Sequence, residues 1–164
     1  DAVKSASHPH HFMAVTKGGR SAIAATSGNE DCHIILRGGH TPNYDRESVD
    51  AAALELSRAG VAPRIMIDSS HANSSKKPEN QPLVVADIAG QLAGGEQRIT
   101  GVMIESNLVA GRQDVVPGKP LTHGQSITDG CIDWETTVSA LNTLANAVSA
   151  RRNVRSRKLQ ERSA

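Results

Sequence analysis

"RIMIDSSHANSSKK", residues 64–77, decides how this chain is read. Ile65, Met66 and Ile67 form an apolar run with no polar alternation, and Asp68, Ser69, Ser70, His71, Ala72, Asn73, Ser74 and Ser75 follow directly. A strand apolar on successive positions buries both faces, the habit of a parallel sheet; a half-exposed antiparallel strand alternates instead. This strand ends by handing an acid, hydroxyls and an imidazole to a loop at its C-terminal end. In α/β folds that is where sites are built.

Outward from this stretch the same pattern recurs. "HFMAV" (residues 11–15), "CHIILR" (32–37) and "TGVMIES" (100–106) read as further strands of one buried parallel sheet, with Cys32 in the core. Helical stretches separate them. Asp45 can cap a helix over residues 46–59, with Val49, Ala52, Ala53, Leu56 and Ala59 on one stripe and Gly60 as the stop. Residues 81–93 place Val84, Val85, Ile88 and Leu92 inward and end at Gly94 and Gly95. Asp133 can cap a last helix, with Val138, Leu141, Ala145 and Val148 facing inward and Arg151 and Arg152 suiting its C-terminal end. Residues 1–7 read as the end of an earlier helix. Strands alternating with helices predict an α/β fold with right-handed crossovers, and an open doubly wound sheet and a (β/α)₈ barrel both fit. Long loops are expected after the strands, over residues 16–31, 38–44, 69–80 and 107–130.

Composition sets outer bounds. The chain has 164 residues, a net charge of +1, 38% hydrophobic residues and 2% aromatic ones (Phe12, Tyr44 and Trp134), so its core is aliphatic. Such a charge gives no overall pull toward nucleic acid. Cys32 and Cys131 form neither a zinc pattern nor a disulfide framework, which suits a reducing, cytoplasmic setting. No run approaches the about 18 apolar residues of a membrane helix, and no signal peptide is visible. A chain that opens on Asp1 rather than Met is expected to start within a longer protein. From Arg151 onward, Arg151, Arg152, Arg155, Arg157, Lys158 and Arg162 face one acid, Glu161, a pattern expected of a solvated, frayed helical tail.

The strand ends carry the candidate chemistry. "HFMAV" leads to Lys17, "CHIIL" to Arg37 before Gly38 and Gly39, "RIMI" to Asp68, Ser70 and His71, and "GVMI" to Glu105; "SITDGC" offers Asp129 before the last helix. His71, Glu105 and Asp129 make a mixed nitrogen and oxygen set suited to Mn²⁺, Fe²⁺, Co²⁺ or Zn²⁺. Lys17 and Arg37 are cations of the kind a phosphorylated substrate needs. Asp68 reads as a buried hydrogen-bond anchor for its own loop, and Cys131 as a small packing residue. "HPHH" (residues 8–11) precedes a strand, at the opposite end from these residues, and reads as a surface loop.

Four stretches, "CHIILRGG", "MIDSSHANSSK", "GVMIESNL" and "SITDGCIDWE", closely resemble the C-terminal half of the class I 3-deoxy-D-arabino-heptulosonate 7-phosphate (DAHP) synthases, also called phospho-2-dehydro-3-deoxyheptonate aldolases. The resemblance implies that residues 1–152 are the C-terminal half of a (β/α)₈ barrel, with residues 153–164 as a basic tail. It implies condensation of phosphoenolpyruvate with D-erythrose 4-phosphate, the first step of the shikimate pathway. His71, Glu105 and Asp129 would hold a divalent metal, a Lewis acid for the aldehyde. Arg37, with His71 and Asp129, would contact substrate, and Lys17 would join His71 in catalysis. The family's metal-binding cysteine, its Lys-Pro-Arg-Thr-Ser motif and its Gly-Phe-Lys-Asn-Gly strand belong to the other half and are absent here. Where the family usually has Lys-Trp-Gly-His, this chain has Lys17, Gly18, Gly19 and Arg20. Alone, the segment is expected to be inactive, oligomeric, or completed by the N-terminal half of the barrel. The alternative expectation is a non-catalytic half barrel with a binding or regulatory role, and a third is another metal-dependent aldolase.

Overall fold

The computed structural model describes residues 1–163. Its centre is a three-stranded parallel sheet in sequential order, β3 (Ile34–Leu36), β4 (Ile65–Asp68) and β5 (Ile99–Met103). Ile34 pairs with Ile65 and Leu36 with Ile67; on the other side Ile67 pairs with Val102 and Asp68 with Met103. Ile65 and Ile67 are fully buried, as the apolar run of β4 requires of a central strand.

Helices α2 (Arg46–Arg58) and α3 (Gln81–Ala93) are the crossovers between these strands. Asp45 accepts from the Ser48 backbone N–H at 2.9 Å, so α2 starts where its cap residue stands. It ends at Gly60, whose φ of +71° lets the Val61 N–H return to the Leu56 carbonyl at 2.9 Å. Val49, Ala53 and Leu56 of α2 meet Val84, Ile88 and Leu92 of α3 and the isoleucines of the sheet in one core. Ala59 does not join that stripe: it is the exposed residue that closes the helix.

Three expectations about the elements are corrected. The "HFMAV" strand, β1 (His11–Val15), is not part of the parallel sheet. It forms an antiparallel hairpin with β2 (Ser21–Ala25), which occupies the expected 16–31 loop. Met13, Val15 and Ile23 are each 73% exposed, so the unbroken apolar run is not a sign of burial here. Alanine and serine have weak strand preference, which is why β2 leaves little trace in the sequence. The 107–130 connection likewise contains a short parallel pair, β6 (Val109–Arg112) with β7 (Gln125–Ser126). Cys32 precedes β3 and is only half-buried, whereas Cys131 is buried as expected.

The last helix, α4 (Trp134–Ser163), starts at Asp133, which accepts from the Thr136 N–H at 2.8 Å. Its buried face is turned from the expected one. Thr137, Ala140 and Ala147 are buried and Leu144 and Val148 pack on the core, while Val138, Leu141 and Ala145 face out. The buried face thus carries small residues at 140 and 147, while the larger Val138 and Leu141 of the other stripe stay exposed. The tail expected from residue 153 continues α4 as helix; Ala164 and the side chains of Lys158 and Arg162 lie outside the described residues. Of the histidines at 8–11, His8 and His10 have ring nitrogens 2.8 Å from the Lys4 and Ser5 carbonyls, as a surface loop requires. No helix among the described residues is long and apolar enough to cross a membrane.

Candidate functional site

The loop after β4 is held from below by one buried acid. Asp68 is fully buried, and its Oδ1 accepts from the Ser70 N–H at 2.8 Å and from the Ser70 hydroxyl at 2.7 Å. Its Oδ2 lies 2.6 Å from His71 Nδ1. The Ser70 hydroxyl gives its proton to Asp68 Oδ1, so at 2.8 Å from His71 Nδ1 it accepts, which puts the imidazole proton on Nδ1 and leaves the Nε2 lone pair free, the arrangement found behind metal-ligating histidines. His71 itself sits at φ +46°, a strained value for a residue with a side chain. The anchor role read for Asp68 is the one the geometry shows.

Asn73 ties this loop to the next strand. Its amide donates to the Asp68 carbonyl at 2.7 Å and the Leu36 carbonyl at 3.1 Å, and its Oδ1 accepts from the Asn43 N–H at 2.8 Å. The loop then passes so near β3 that a Cβ on Gly38 would lie 2.7 Å from the Ala72 Cβ. Gly38, at φ +75°, is therefore demanded by this crossing of chains, while Gly39 faces open space. Arg37 leaves β3 just before it and is exposed.

Glu105 is held by its backbone. The fully buried Gln81, at the start of α3, accepts from the Glu105 N–H at 2.9 Å and donates to its carbonyl at 3.0 Å. The same carbonyl accepts from the Ile132 N–H at 3.0 Å, which brings the segment carrying Asp129 alongside. Gln81 was not singled out from the sequence. The signal was present: it precedes Val84, Val85 and Ile88 on the inward stripe of α3, and a buried amide needs partners.

These supports bring three of the expected residues together. One ligand atom each from His71, Glu105 and Asp129 lie within 4.8 Å of one another, and His71 Nε2 is 3.6 Å from Glu105 Oε1. Burial pushes the Glu105 carboxyl up; the His71 charge opposes this, while the Asp129 and Asp68 charges add to it. The group is thus a half-buried carboxylate among acids, and a cation would relieve it. One imidazole nitrogen and two carboxylates, with Asp68 behind the imidazole, fit a divalent metal. Arg37, Ser70, His71, Lys76, Glu105 and Asp129 all line one cavity of about 320 Å³.

Lys17 is not brought there. It lies exposed in the tight turn between β1 and β2, closed by the Thr16 N–H on the Arg20 carbonyl at 2.9 Å. It does not line the cavity, and its hairpin is a sheet separate from β3–β4–β5. Lys76, which stands beyond the strand ends in the loop after β4, lines the cavity instead.

The profile of the DAHP synthetase I family matches residues 1–142. The chain is 55% identical, over 152 residues, to the Phe-sensitive phospho-2-dehydro-3-deoxyheptonate aldolase of Escherichia coli K12. It is 52% identical over 157 residues to the tyrosine-inhibited enzyme of that name from Schizosaccharomyces pombe. The solved structure of a phospho-2-dehydro-3-deoxyheptonate aldolase from Francisella tularensis superimposes with a TM-score of 0.85 at 52% identity, over 92% of this chain and 44% of that one. The chain spans 43% of the length of the E. coli relative and 42% of the S. pombe one.

Proposed function

The chain belongs to the DAHP synthetase I family, and we propose that it is the C-terminal half of a (β/α)₈ DAHP synthase, working with the remainder of that barrel. The reaction is the joining of phosphoenolpyruvate to D-erythrose 4-phosphate with release of phosphate. The observation that carries this reading is the convergence of His71, Glu105 and Asp129 on the cavity that Arg37 also lines. A mixed-ligand cluster beside a free guanidinium suits a phosphorylated substrate with a carbonyl to polarise.

His71, Glu105 and Asp129 would hold a divalent ion, Mn²⁺, Fe²⁺, Co²⁺ or Zn²⁺, which supplies Lewis-acid polarisation of the aldehyde when bound. The chain's own groups do the rest of the positioning. Arg37 holds a substrate phosphate with paired N–H donors. Asp68, through the Ser70 hydroxyl that it orients, keeps His71 in the tautomer that presents Nε2. Gln81 fixes the Glu105 peptide from both sides. Carbon 3 of phosphoenolpyruvate attacks the aldehyde carbon, water adds at carbon 2, and that carbon's bond to the phosphate oxygen breaks to release inorganic phosphate. Lys17 would join this site when β1 takes its place in a closed barrel, and the exposed Met13 and Val15 would then be covered.

The test is reconstitution. The chain is purified with and without a segment bearing the family's N-terminal motifs, and phosphate release is measured with both substrates and Mn²⁺. Activity only in the mixture, lost in His71→Ala, supports the reading. A chain that binds Mn²⁺ but never yields product in the mixture favours the non-catalytic half barrel.

A further inference from the structure

We infer that Lys76 is a second phosphate-gripping cation of this cavity, acting with Arg37 on a substrate phosphate. The inference rests on the function proposed above and adds a residue to it. Lys76 lines the same cavity as Arg37, His71, Glu105 and Asp129. Two carboxylates stand in that cavity, yet among the described residues no carboxylate oxygen lies within 4.0 Å of the Lys76 ammonium. A cation beside acids that it does not pair with is available to a ligand.

The backbone is bent to put it there. Ser75 and Lys76 stand at φ +57° and +59°, two consecutive left-handed residues with side chains. Such a conformation is strained for a residue with a Cβ. The turn is closed by the Lys76 N–H on the His71 carbonyl at 2.7 Å and the Ser75 N–H on the Ala72 carbonyl at 3.0 Å. The lysine and the histidine are therefore two ends of one hydrogen-bonded turn, and Lys76 faces back to the cavity that His71 borders. A phosphate monoester brings nearly two negative charges. One guanidinium holds two of its oxygens and leaves charge over, and an ammonium on a flexible stem can take the third.

The chemistry is common to both phosphate esters of the reaction, and titration calorimetry separates them. The full chain with Mn²⁺ is titrated with phosphoenolpyruvate and, separately, with erythrose 4-phosphate, for the natural sequence and for Lys76→Gln, Lys76→Arg, Lys77→Gln and Arg37→Gln. Lys77 is the adjacent exposed lysine outside the cavity lining. The expected result is about tenfold weaker binding of one ester in Lys76→Gln, recovery in Lys76→Arg, and no change in Lys77→Gln. The ester that weakens is the one Lys76 holds. If Lys76→Gln stays within twofold for both esters while Arg37→Gln loses binding, Lys76 has no such role and the function proposed above stands. If affinity falls only together with the unfolding midpoint and Lys76→Arg does not restore it, the role is structural and the inference fails. If the natural sequence binds neither ester at millimolar concentration, the phosphate reading of the cavity fails and Lys76 falls with it.

Discussion

The two ends of the β3–β4–β5 sheet are built on opposite terms. At the C-terminal end, β4 and β5 run into strained backbone, a buried Asp68 and carboxylates gathered within 4.8 Å of one another. At the N-terminal end, the charges are matched. Glu96, 7% exposed, takes three contacts from Arg98, including a 2.6 Å ion pair, and Arg98 also pairs with Asp50. Arg151 of α4 donates to the Glu96 and Ile99 carbonyls at 3.2 and 3.0 Å, fastening the last helix to the start of β5. The pKa directions agree: Arg98 brings Glu96 down to about 2, while burial pushes Glu105 up. One end satisfies its charges internally and holds the fold together. The other keeps them short of partners and can therefore bind something.

If that division holds, variants at the two ends should separate binding from stability. The largest effect is expected for His71→Ala: Mn²⁺ affinity, read by electron paramagnetic resonance, falls more than a hundredfold, and the urea midpoint does not fall. An equal loss of stability would mean the cluster is structural.

Gln81→Leu should cost about 2–3 kcal/mol in urea unfolding, because it leaves the Glu105 N–H without its buried partner and takes one of two donors from the Glu105 carbonyl. It is the one change at the site end that should damage both properties, and a neutral result would show that the Glu105 peptide is held elsewhere.

Third in size is Glu96→Gln, about 2 kcal/mol with Mn²⁺ affinity intact. The sign with pH follows from the lowered pKa. The stabilisation is complete above the ordinary carboxyl value of 4.5, and it is lost as pH falls from there toward about 2. Glu96→Gln should therefore flatten stability over that acid window, and an unchanged slope would break the assignment.

Asp68→Asn should weaken Mn²⁺ binding about tenfold by releasing the His71 tautomer. The smallest effect belongs to Met13→Ser in the hairpin, within about 0.5 kcal/mol, since Met13 is 73% exposed in this chain. A larger loss would show that the hairpin is covered in solution.

Much of this could be read in the sequence. Asp45, Gly60 and Asp133 mark helix ends because cap chemistry is local. Ile65 to Ile67 mark a buried parallel strand because a strand covered on both faces tolerates no polar alternation. His71, Glu105 and Asp129 could be picked out because each follows such a strand or precedes a capped helix, and α/β folds put their sites there.

What the sequence misjudged depends on neighbours far along the chain. Apolar β1 reads like apolar β4, and only the tertiary structure shows one in a hairpin and the other between two strands. Lys17, on that hairpin, does not line the cavity that Arg37 lines. The stripe of α4 that faces inward, with Thr137, Ala140, Leu144 and Ala147, is set by the partners it packs on and not by which stripe is more apolar. Gln81 and Asn73 act on residues 24 and 37 positions away. Local pattern thus determined the elements and the residues able to react. Packing and long-range hydrogen bonds decided which of those residues meet, because burial and pairing are properties of the partners a segment finds and not of the segment alone.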